Sequence, residues 1–410
     1  MPATMDVAPA TSIKDLPELD VTSTEYTRDP YEVLRRVQQE SWIFRSSRGV
    51  EIVRYEPHRE MLRDRRLSLD LPLIATMSGI SHPDVWRFRT ENMINTVGAL
   101  HSKLRSSVAR FFAPQHAEEL RPVIRSIISS RFDTIEASRS ETIDLLDAVC
   151  NWVPALTYAH MVGAPREDAP FIIRVSSDIL EIFKRDPAVR DTVESAYLEL
   201  FDYTERRFEQ CADDLHDDLL SNLILAERSG SLTHREAADL SILLLEASTE
   251  NTTHEMALVM SVLLEHPTVW QEIVSDQSLI AQAVEEAMRI RPRAISNDRS
   301  ALQDLTWRGL EIPKGTRCIL STLAATRDPE AYPRPEVFDI HRVSPRPNVM
   351  FGGGVTACLG QNVAKVEIQE FVAELATRYP EVTAAGPATW ELDLAATASL
   401  GLNVQLGPRT

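Results

Sequence analysis

A single cysteine lies among four glycines in the segment FGGGVTACLGQ, which runs from Phe351 to Gln361. This residue is Cys358, and no second cysteine is near it, so neither a disulfide nor a structural zinc site accounts for it. Three interpretations stay open here: a nucleophile, a single thiolate ligand, or a cysteine without a chemical role. The glycines would let the backbone pass close to a flat cofactor and let N–H groups point at the sulfur.

The same segment also matches a dinucleotide-binding fingerprint, because Gly352, Gly354 and Ala357 satisfy G-x-G-x-x-G/A. That fingerprint needs a strand before it and a second strand after it, whereas Pro345 and Pro347 interrupt the approach and a helix pattern follows. A nicotinamide cofactor is therefore disfavoured. A helix that begins near Cys358 would stabilise a negative sulfur, and one thiolate is enough to hold haem iron.

A second candidate site lies in the centre of the longest predicted helix, residues 233–265. A Thr233 cap with Glu236 three residues later opens this helix, and Pro267 follows its end. Apolar residues on both sides of the centre indicate burial, where polar groups are costly without partners. The polar residues of the centre are Glu246, Ser248, Glu250, Asn251 and Thr252. Two interpretations compete: a functional site inside a buried helix, and the solvated stripe of an amphipathic helix.

A shorter helix is predicted over residues 276–290, with Glu286 and Arg289 three residues apart on one face. Taken alone, the two residues are typical of a surface ion pair that adds little stability.

The elements that must position these residues are mostly helical. Short strand signals occur near residues 42–55, two further strands are predicted within 305–322, and residues 116–225 follow a helical period. The 410 residues contain no repeat and no convincing linker. The predicted fold class is mainly α with small β-sheets (α+β), in a single domain.

Composition excludes several classes of partner. The 43 Lys and Arg residues against 61 Asp and Glu give a net charge of −18, which opposes binding to nucleic acid or anionic lipid. No apolar stretch is long enough for a membrane span, and the first residues lack the pattern of a signal peptide. Four cysteines far apart in sequence indicate a reducing compartment. We therefore expect a cytoplasmic protein without nucleic-acid or membrane partners.

Several of these motifs together resemble those of the haem-thiolate monooxygenases, the cytochrome P450 family. FGGGVTACLG is similar to the haem loop of that family, F-G-x-G-x-H/R-x-C-x-G. The matching loop residues are Phe351, Gly352, Gly354, Cys358 and Gly360. Glu286 and Arg289 match the E-x-x-R pair of the family, and Arg342 matches the third member of that triad. The resemblance covers roughly residues 29–406 with its motifs in the family order.

The resemblance implies a haem cofactor and its ligands. Haem b, iron protoporphyrin IX, would lie between the long central helix and the cysteine loop, with Cys358 as the sole protein ligand of the metal. His101, Arg105 and Arg299 would contact the propionates, and Thr356 stands where the family usually has histidine or arginine. The implied domains are an N-terminal extension, residues 1–28, and a cytochrome P450 catalytic domain, residues 29–410.

The resemblance also implies an oxygen-activating segment, formed by Ala247, Glu250, Asn251 and Thr252. Glu250 is the candidate proton source, and Asn251 replaces the first threonine of the family pattern. The implied reaction inserts one atom of O2 into a small or medium hydrophobic substrate by hydroxylation, epoxidation or dealkylation. Oxidative coupling, and gas binding or sensing without turnover, are the alternatives.

The electron donors implied for this class are a separate ferredoxin and ferredoxin reductase. An acidic ferredoxin would find a local positive patch at Lys103, Arg105 and Arg110 on an otherwise acidic protein. A solvated helix face is the alternative interpretation of Lys103 and Arg110.

Overall fold

The computed structural model describes residues 12–69, 71–138, 142–343, 346–392 and 396–409. Residues 1–11 of the predicted N-terminal extension lie outside the described residues. Pro345, one of the two prolines before the glycine loop, also lies outside them. The rest of that extension contains a 3-10 turn at Ile13–Asp15 and one short helix. The boundary predicted at residue 29 stays a prediction.

The helices of the described chain are α1 (Thr24–Arg28), α2 (Pro30–Val37), α3 (Tyr55–Met61), α4 (Leu71–Met77), α5 (Pro83–Glu91), α6 (Gly98–Val108), α7 (Pro114–Ser138), α8 (Trp152–Met161), α9 (Ala169–Leu180), α10 (Arg190–Cys211), α11 (Leu219–Arg228), α12 (His234–Ser248), α13 (Glu250–Leu264), α14 (Pro267–Ser275), α15 (Ile280–Ile290), α16 (Thr322–Ala325) and α17 (Gln361–Arg378).

The strands are β1 (Ile43–Arg45), β2 (Val50–Ile52), β3 (Leu67–Ser68), β4 (Thr142–Asp144), β5 (Ser296–Ala301), β6 (Leu305–Trp307), β7 (Leu310–Ile312), β8 (Arg317–Ser321), β9 (Thr383–Ala384), β10 (Thr389–Leu392), β11 (Thr397–Gly401) and β12 (Asn403–Gln405). The helices are more numerous than the strands, and most of them are longer. This confirms the predicted fold class of mainly α with small β-sheets.

The chain forms two compact units, one from Met1–Asp70 with Ala294–Cys358 and the other from Leu71–Arg293 with Leu359–Thr410. The first unit contains a five-stranded sheet in the order β1-β2-β8-β5-β3, in which β2 and β8 are parallel and the other pairs antiparallel. Apolar residues such as Ile52 and Leu320 are fully buried on it. A separate hairpin joins β6 and β7.

The second unit is built around α13, which contacts α8, α15, α17 and β11. Its residues from Met256 to Leu263 are all buried, as expected for a helix that is apolar on every side. The long helix α7 packs along α17. Two small sheets, β4-β12-β9 and β10-β11, complete this unit.

The helix predicted over residues 233–265 is not continuous. The capping box of Thr233 and Glu236 is present, but α12 ends at Ser248 and α13 begins at Glu250. Ser248 Oγ donates to the carbonyl of Leu244 at 2.6 Å, and Thr249 Oγ1 donates to that of Leu245 at 3.4 Å. Hydroxyl groups that donate to carbonyls one turn back bend a helix. The break could not be predicted from the sequence, because the apolar period continues on both sides of it.

The interpretation of Glu286 and Arg289 as a surface pair was wrong. Both side chains are buried in the second unit, and Arg289 donates to the Glu286 carboxylate through Nε and Nη2, each at 2.8 Å. Arg342, in the first unit, donates to the carbonyls of Pro333, Arg334 and Val337.

Residues 305–322 form three strands, β6, β7 and β8, where two were predicted. Within the described residues, no helix is both long enough and apolar enough to cross a membrane.

Candidate functional site

The loop before Cys358 is held in a specific shape by its own backbone. Two 3-10 turns, Val349–Phe351 and Gly354–Thr356, fold it, and the N–H of Cys358 donates to the carbonyl of Phe351 at 2.8 Å. The thiol of Cys358 is exposed at the end of this loop. The helix predicted to follow, α17, begins at Gln361, three residues after the cysteine.

Two of the loop glycines are required by the backbone conformation. Gly352 has φ +71° and ψ −155°, a region that only glycine occupies without strain. Gly354 has φ +67°, and a Cβ there would lie 3.0 Å from the carbonyl oxygen of Leu62. Gly360 is different: its φ is −80° and a Cβ would meet nothing within 4 Å. The chain therefore needs glycine at Gly352 and Gly354 but not at Gly360.

Arg299 joins this loop from β5. Its side chain is 5 % exposed, and it donates to Thr356 Oγ1 at 3.3 Å and to the carbonyl of Asp298 at 2.9 Å. Burial lowers the pKa of Arg299 to about 10, against a raising effect of Asp298. The carboxylate of Asp298 is used elsewhere, by Arg317 at 3.0 Å. Arg299 is thus a buried cation bonded to uncharged oxygens, an arrangement that an anionic group would stabilise.

In the second unit, His101 and Arg105 lie one turn apart on α6, as predicted. His101 is buried, and its Nδ1 lies 3.1 Å from the carbonyl oxygen of Met93. Because a carbonyl only accepts, the proton of this bond is on Nδ1.

The predicted positive patch is weaker than the sequence suggested, and Arg110 lies outside α6, in the 3-10 turn Ala109–Phe112. Lys103 pairs with Glu236 at 2.8 Å and Arg110 with Asp217 at 3.3 Å. Two of its three cations therefore already have acidic partners within the second unit.

The break between α12 and α13 coincides with the predicted oxygen-activating residues. From Ala237 to Leu264, Ala247 and Asn251 are the two exposed residues, whereas Glu250 and Thr252 are buried. An otherwise buried pair of helices therefore presents a small side chain and an amide at one accessible place. This finding favours a functional site over a solvated stripe, because a stripe would be exposed along the whole helix.

Glu250 has a neighbour that sequence reasoning missed. Its Oε2 lies 3.2 Å from Nε2 of His254, one turn later on α13. The signal was available, since the two residues are four apart in a predicted helix.

A second missed feature is a buried cluster around Arg89, which we call the Arg89 cluster and which comprises Arg89, Tyr197 and Glu246. Arg89 Nη1 donates to Glu246 Oε1 at 2.6 Å and to Tyr197 Oη at 3.0 Å, and Tyr197 Oη donates to Glu246 Oε2 at 2.9 Å. The sequence places Glu246 among the polar residues of a central helix, but its partners on α5 and α10 are distant in sequence and leave no local signal.

The other cysteines have environments unlike that of Cys358. Burial raises the pKa of Cys318 to about 12 and raises that of Cys150 further, and burial also raises the pKa of Cys211. Only Cys358 among the four is exposed. Within the described residues, no group of three or more His, Cys, Asp or Glu could hold a metal ion.

The residues of each unit, taken separately, fit a haem group. The first unit supplies an exposed cysteine, a loop that needs glycine at two positions, and a buried arginine whose hydrogen bonds within the described residues go to uncharged oxygens. The second supplies His101 and Arg105 on one face of α6, and the accessible place at Ala247 and Asn251.

Comparisons with known proteins agree with this assignment. The family profile described as Cytochrome P450 matches residues 80–380. Luteothin monooxygenase of Streptomyces thioluteus is 30% identical over 396 residues, which cover 96% of this chain and 97% of that protein. The cytochrome P450 monooxygenase PikC of Streptomyces venezuelae is 29% identical, over 89% of this chain and 87% of that protein.

Solved structures give the same result. A cytochrome P450 enzyme, CxnD, described as forming a C–S bond in chuangxinmycin biosynthesis, superposes with a TM-score of 0.84 at 26% identity. The match covers 96% of this chain and 98% of that one.

Proposed function

Since the chain belongs to the cytochrome P450 family and is therefore a monooxygenase, we propose that it inserts one atom of O2 into a small or medium hydrophobic organic substrate. Haem is the cofactor that the family implies, and we propose that it is haem b. Electrons come from a separate ferredoxin and ferredoxin reductase. The observation that carries this proposal is the exposed Cys358 at the end of a loop whose conformation requires glycine.

Each haem-binding residue has a role that follows from its chemistry. Cys358 would be the thiolate ligand of the iron, and Arg299 and Arg105 would donate to the propionates. His101 would donate through Nε2 as an imidazolium, because its Nδ1 proton is used by the carbonyl of Met93. Thr356 contributes a hydroxyl without charge, so one charge-assisted bond of the family pattern is replaced by a weaker neutral one. When bound, a thiolate-ligated haem supplies O2 binding and favours cleavage of the O–O bond.

Proton handling falls to the residues at the break between α12 and α13. The exposed amide of Asn251 donates through its NH2 group and accepts through its carbonyl, so it can replace a threonine hydroxyl with changed geometry. Buried Glu250 transfers protons, Ala247 leaves room for a small molecule beside Asn251, and Thr252 lies in the same turn. A residue that transfers protons is needed only when substrate is turned over. The roles of Asn251 and Glu250 therefore favour a monooxygenase over a protein that only binds or senses a gas.

The experiment is an optical spectrum of the reduced protein under carbon monoxide. We expect the red-shifted Soret band of a thiolate adduct, and we expect Cys358→His to abolish it. Cys211→Ser is the matched control, because Cys211 is partly exposed but lies outside the loop, and the band should be unchanged in it. The same band in Cys358→His would refute the ligand assignment.

A further inference from the structure

The guanidinium of Arg89 uses only one of its nitrogens inside the Arg89 cluster. Both of its hydrogen bonds leave from Nη1. Arg89 as a whole is only 1 % exposed. Its Nε and Nη2 atoms are buried too, and within the described residues they have no acceptor at hydrogen-bond distance. A buried hydrogen-bond donor without an acceptor lowers the stability of the folded protein, so such a donor calls for a functional explanation.

The unused nitrogens form one edge of the guanidinium. Nε and Nη2 present parallel N–H groups, the geometry with which arginine holds oxygen acceptors. A lysine would satisfy Glu246 and Tyr197 with a single ammonium and leave fewer donors idle. The turn after α5 adds another buried donor without an acceptor in the described residues, Nδ2 of Asn92.

The charge of the Arg89 cluster selects the kind of acceptor. Glu246 already neutralises Arg89, and the phenol of Tyr197 stays protonated because burial raises its pKa well above the ordinary value. A carboxylate at the free edge would bring a second negative charge into this buried place without a second cation. An uncharged carbonyl oxygen would accept hydrogen bonds from Nε and Nη2 and leave the net charge of the cluster at zero.

Aromatic rings surround the Arg89 cluster. The rings of Phe88 and Phe201 each pack against Tyr197, with centroids 5.4 Å and 5.9 Å away, and the Phe183 ring is 5.9 Å from Arg89 Cζ. Glu246 directly precedes Ala247, one of the two exposed residues between Ala237 and Leu264.

We propose that the Nε–Nη2 edge of Arg89 binds a carbonyl oxygen of an uncharged substrate, such as a ketone, ester or lactone, and thereby determines specificity. This inference rests on the proposed function, since it assigns the substrate of the same site. The Arg89 cluster then discriminates against substrates that carry a free carboxylate.

The test is calorimetric binding of three probes to the haem-loaded protein without electron donors. The probes are δ-undecalactone, 2-hexyltetrahydropyran, which lacks only the carbonyl oxygen, and undecanoate. We expect the lactone to bind roughly tenfold or more tightly than the ether, because a bond to a charged donor is lost. Undecanoate should bind more weakly than the lactone.

Two variants and a control locate the effect. Arg89→Lys keeps the cation but removes the planar edge, so the preference for lactone over ether should disappear. Glu246→Gln removes the neutralising charge, so undecanoate should gain affinity relative to the lactone. Arg87→Lys is the matched control on α5, because both Nη atoms of Arg87 are used by Asp239, at 2.7 Å and 3.0 Å, and the preference should persist.

Equal affinity of lactone and ether in the unmodified protein, or an unchanged preference in Arg89→Lys, would overturn the inference. The carbon monoxide spectrum decides the proposed function separately. A thiolate band without lactone preference would refute only the role of Arg89, and lactone preference without the band would refute only the thiolate assignment.

Discussion

Asn251 replaces the first threonine of the family pattern, and it is one of the two exposed residues between Ala237 and Leu264. An amide and a hydroxyl both donate and accept, but the amide is longer and planar, so the position of its hydrogen bonds differs. Whether it serves oxygen activation is decided by how efficiently electrons are converted into product.

We predict that Asn251→Ala lowers the amount of product formed per electron pair and diverts the difference into hydrogen peroxide, because the alanine offers no hydrogen bond. Asn251→Thr should retain most of the efficiency. The measurement is the ratio of product to reduced nicotinamide consumed, with peroxide assayed in parallel. An unchanged ratio in Asn251→Ala would show that an oxygen atom of the substrate supplies the bond.

Glu250 has a separate role in proton transfer. We predict that Glu250→Gln slows turnover by roughly tenfold or more while substrate affinity is unchanged, because the amide keeps the shape but cannot transfer a proton. Steady-state kinetics measure the turnover rate, and equilibrium binding measures the substrate affinity. A loss of affinity equal to the loss of rate would assign Glu250 to substrate binding instead.

Thr356 is the second departure at the residue scale. We predict that Thr356→His slows haem loss to apomyoglobin by roughly tenfold, since a charge-assisted bond to a propionate is stronger than a neutral one by about 1.5 kcal/mol. Val355→His is the control, because Val355 is exposed in the same turn and should not alter the rate. Identical rates in all three proteins would argue against a propionate contact at this position.

At the scale of elements, α7 and α17 are joined by one carboxylate that serves two arginines. Glu370 is buried on α17 and accepts from Arg121 and Arg125 of α7, each at 2.7 Å. Removing an acid from such a contact leaves cations without their acceptor, and the cost is reduced here because Arg125 is largely exposed and Arg121 also pairs with Glu118.

We predict that Glu370→Ala lowers the free energy of unfolding by about 2 kcal/mol. Urea denaturation followed by circular dichroism measures it. Glu32→Ala removes the partner of Arg35 in an exposed pair of α2 and should leave the midpoint unchanged. Equal midpoints for Glu370→Ala and the parent protein would mean that the apolar contacts between α7 and α17 carry this packing alone.

At the scale of the whole molecule, stability depends on buried acids that are neutral when folded. Burial raises the pKa values of Glu255 and Glu367 to about 8, partly opposed by hydrogen bonds from Arg293 and Thr157, respectively. In the unfolded chain a glutamate ionises near pH ~4.3. Between these values the folded state binds more protons than the unfolded state, so stability falls as pH rises and levels off above about pH 8.

We predict that Glu367→Gln flattens the dependence of unfolding free energy on pH by about 1.4 kcal/mol per pH unit across pH ~5 to ~8, because one proton is no longer linked to folding. Denaturation curves at several pH values measure this slope. Exposed Glu32, changed to Gln, should not alter it. A slope in Glu367→Gln equal to that of the parent protein would show that this carboxyl is ionised in the folded protein, whereas the slope due to Glu255 should remain.

Much of the fold and part of the candidate site could be predicted from local sequence. The capping box of Thr233 and Glu236, the helical bulk and the loop that places Cys358 each depend on neighbours within a few residues, and side-chain spacing or glycine conformation encodes them directly. The roles of the loop residues and of Asn251 follow from the resemblance to the family and stay predictions.

Only the tertiary structure decided which polar groups are buried and with whom. Arg89, Tyr197 and Glu246 come from α5, α10 and α12, and nothing near any of them in sequence indicates the other two. Glu286 and Arg289 have the spacing of a surface pair, yet packing of α15 against α13 and α17 buries them. The physical reason is that burial and long-range pairing depend on how distant elements pack together, whereas helix caps and glycine turns are fixed by the few residues beside them.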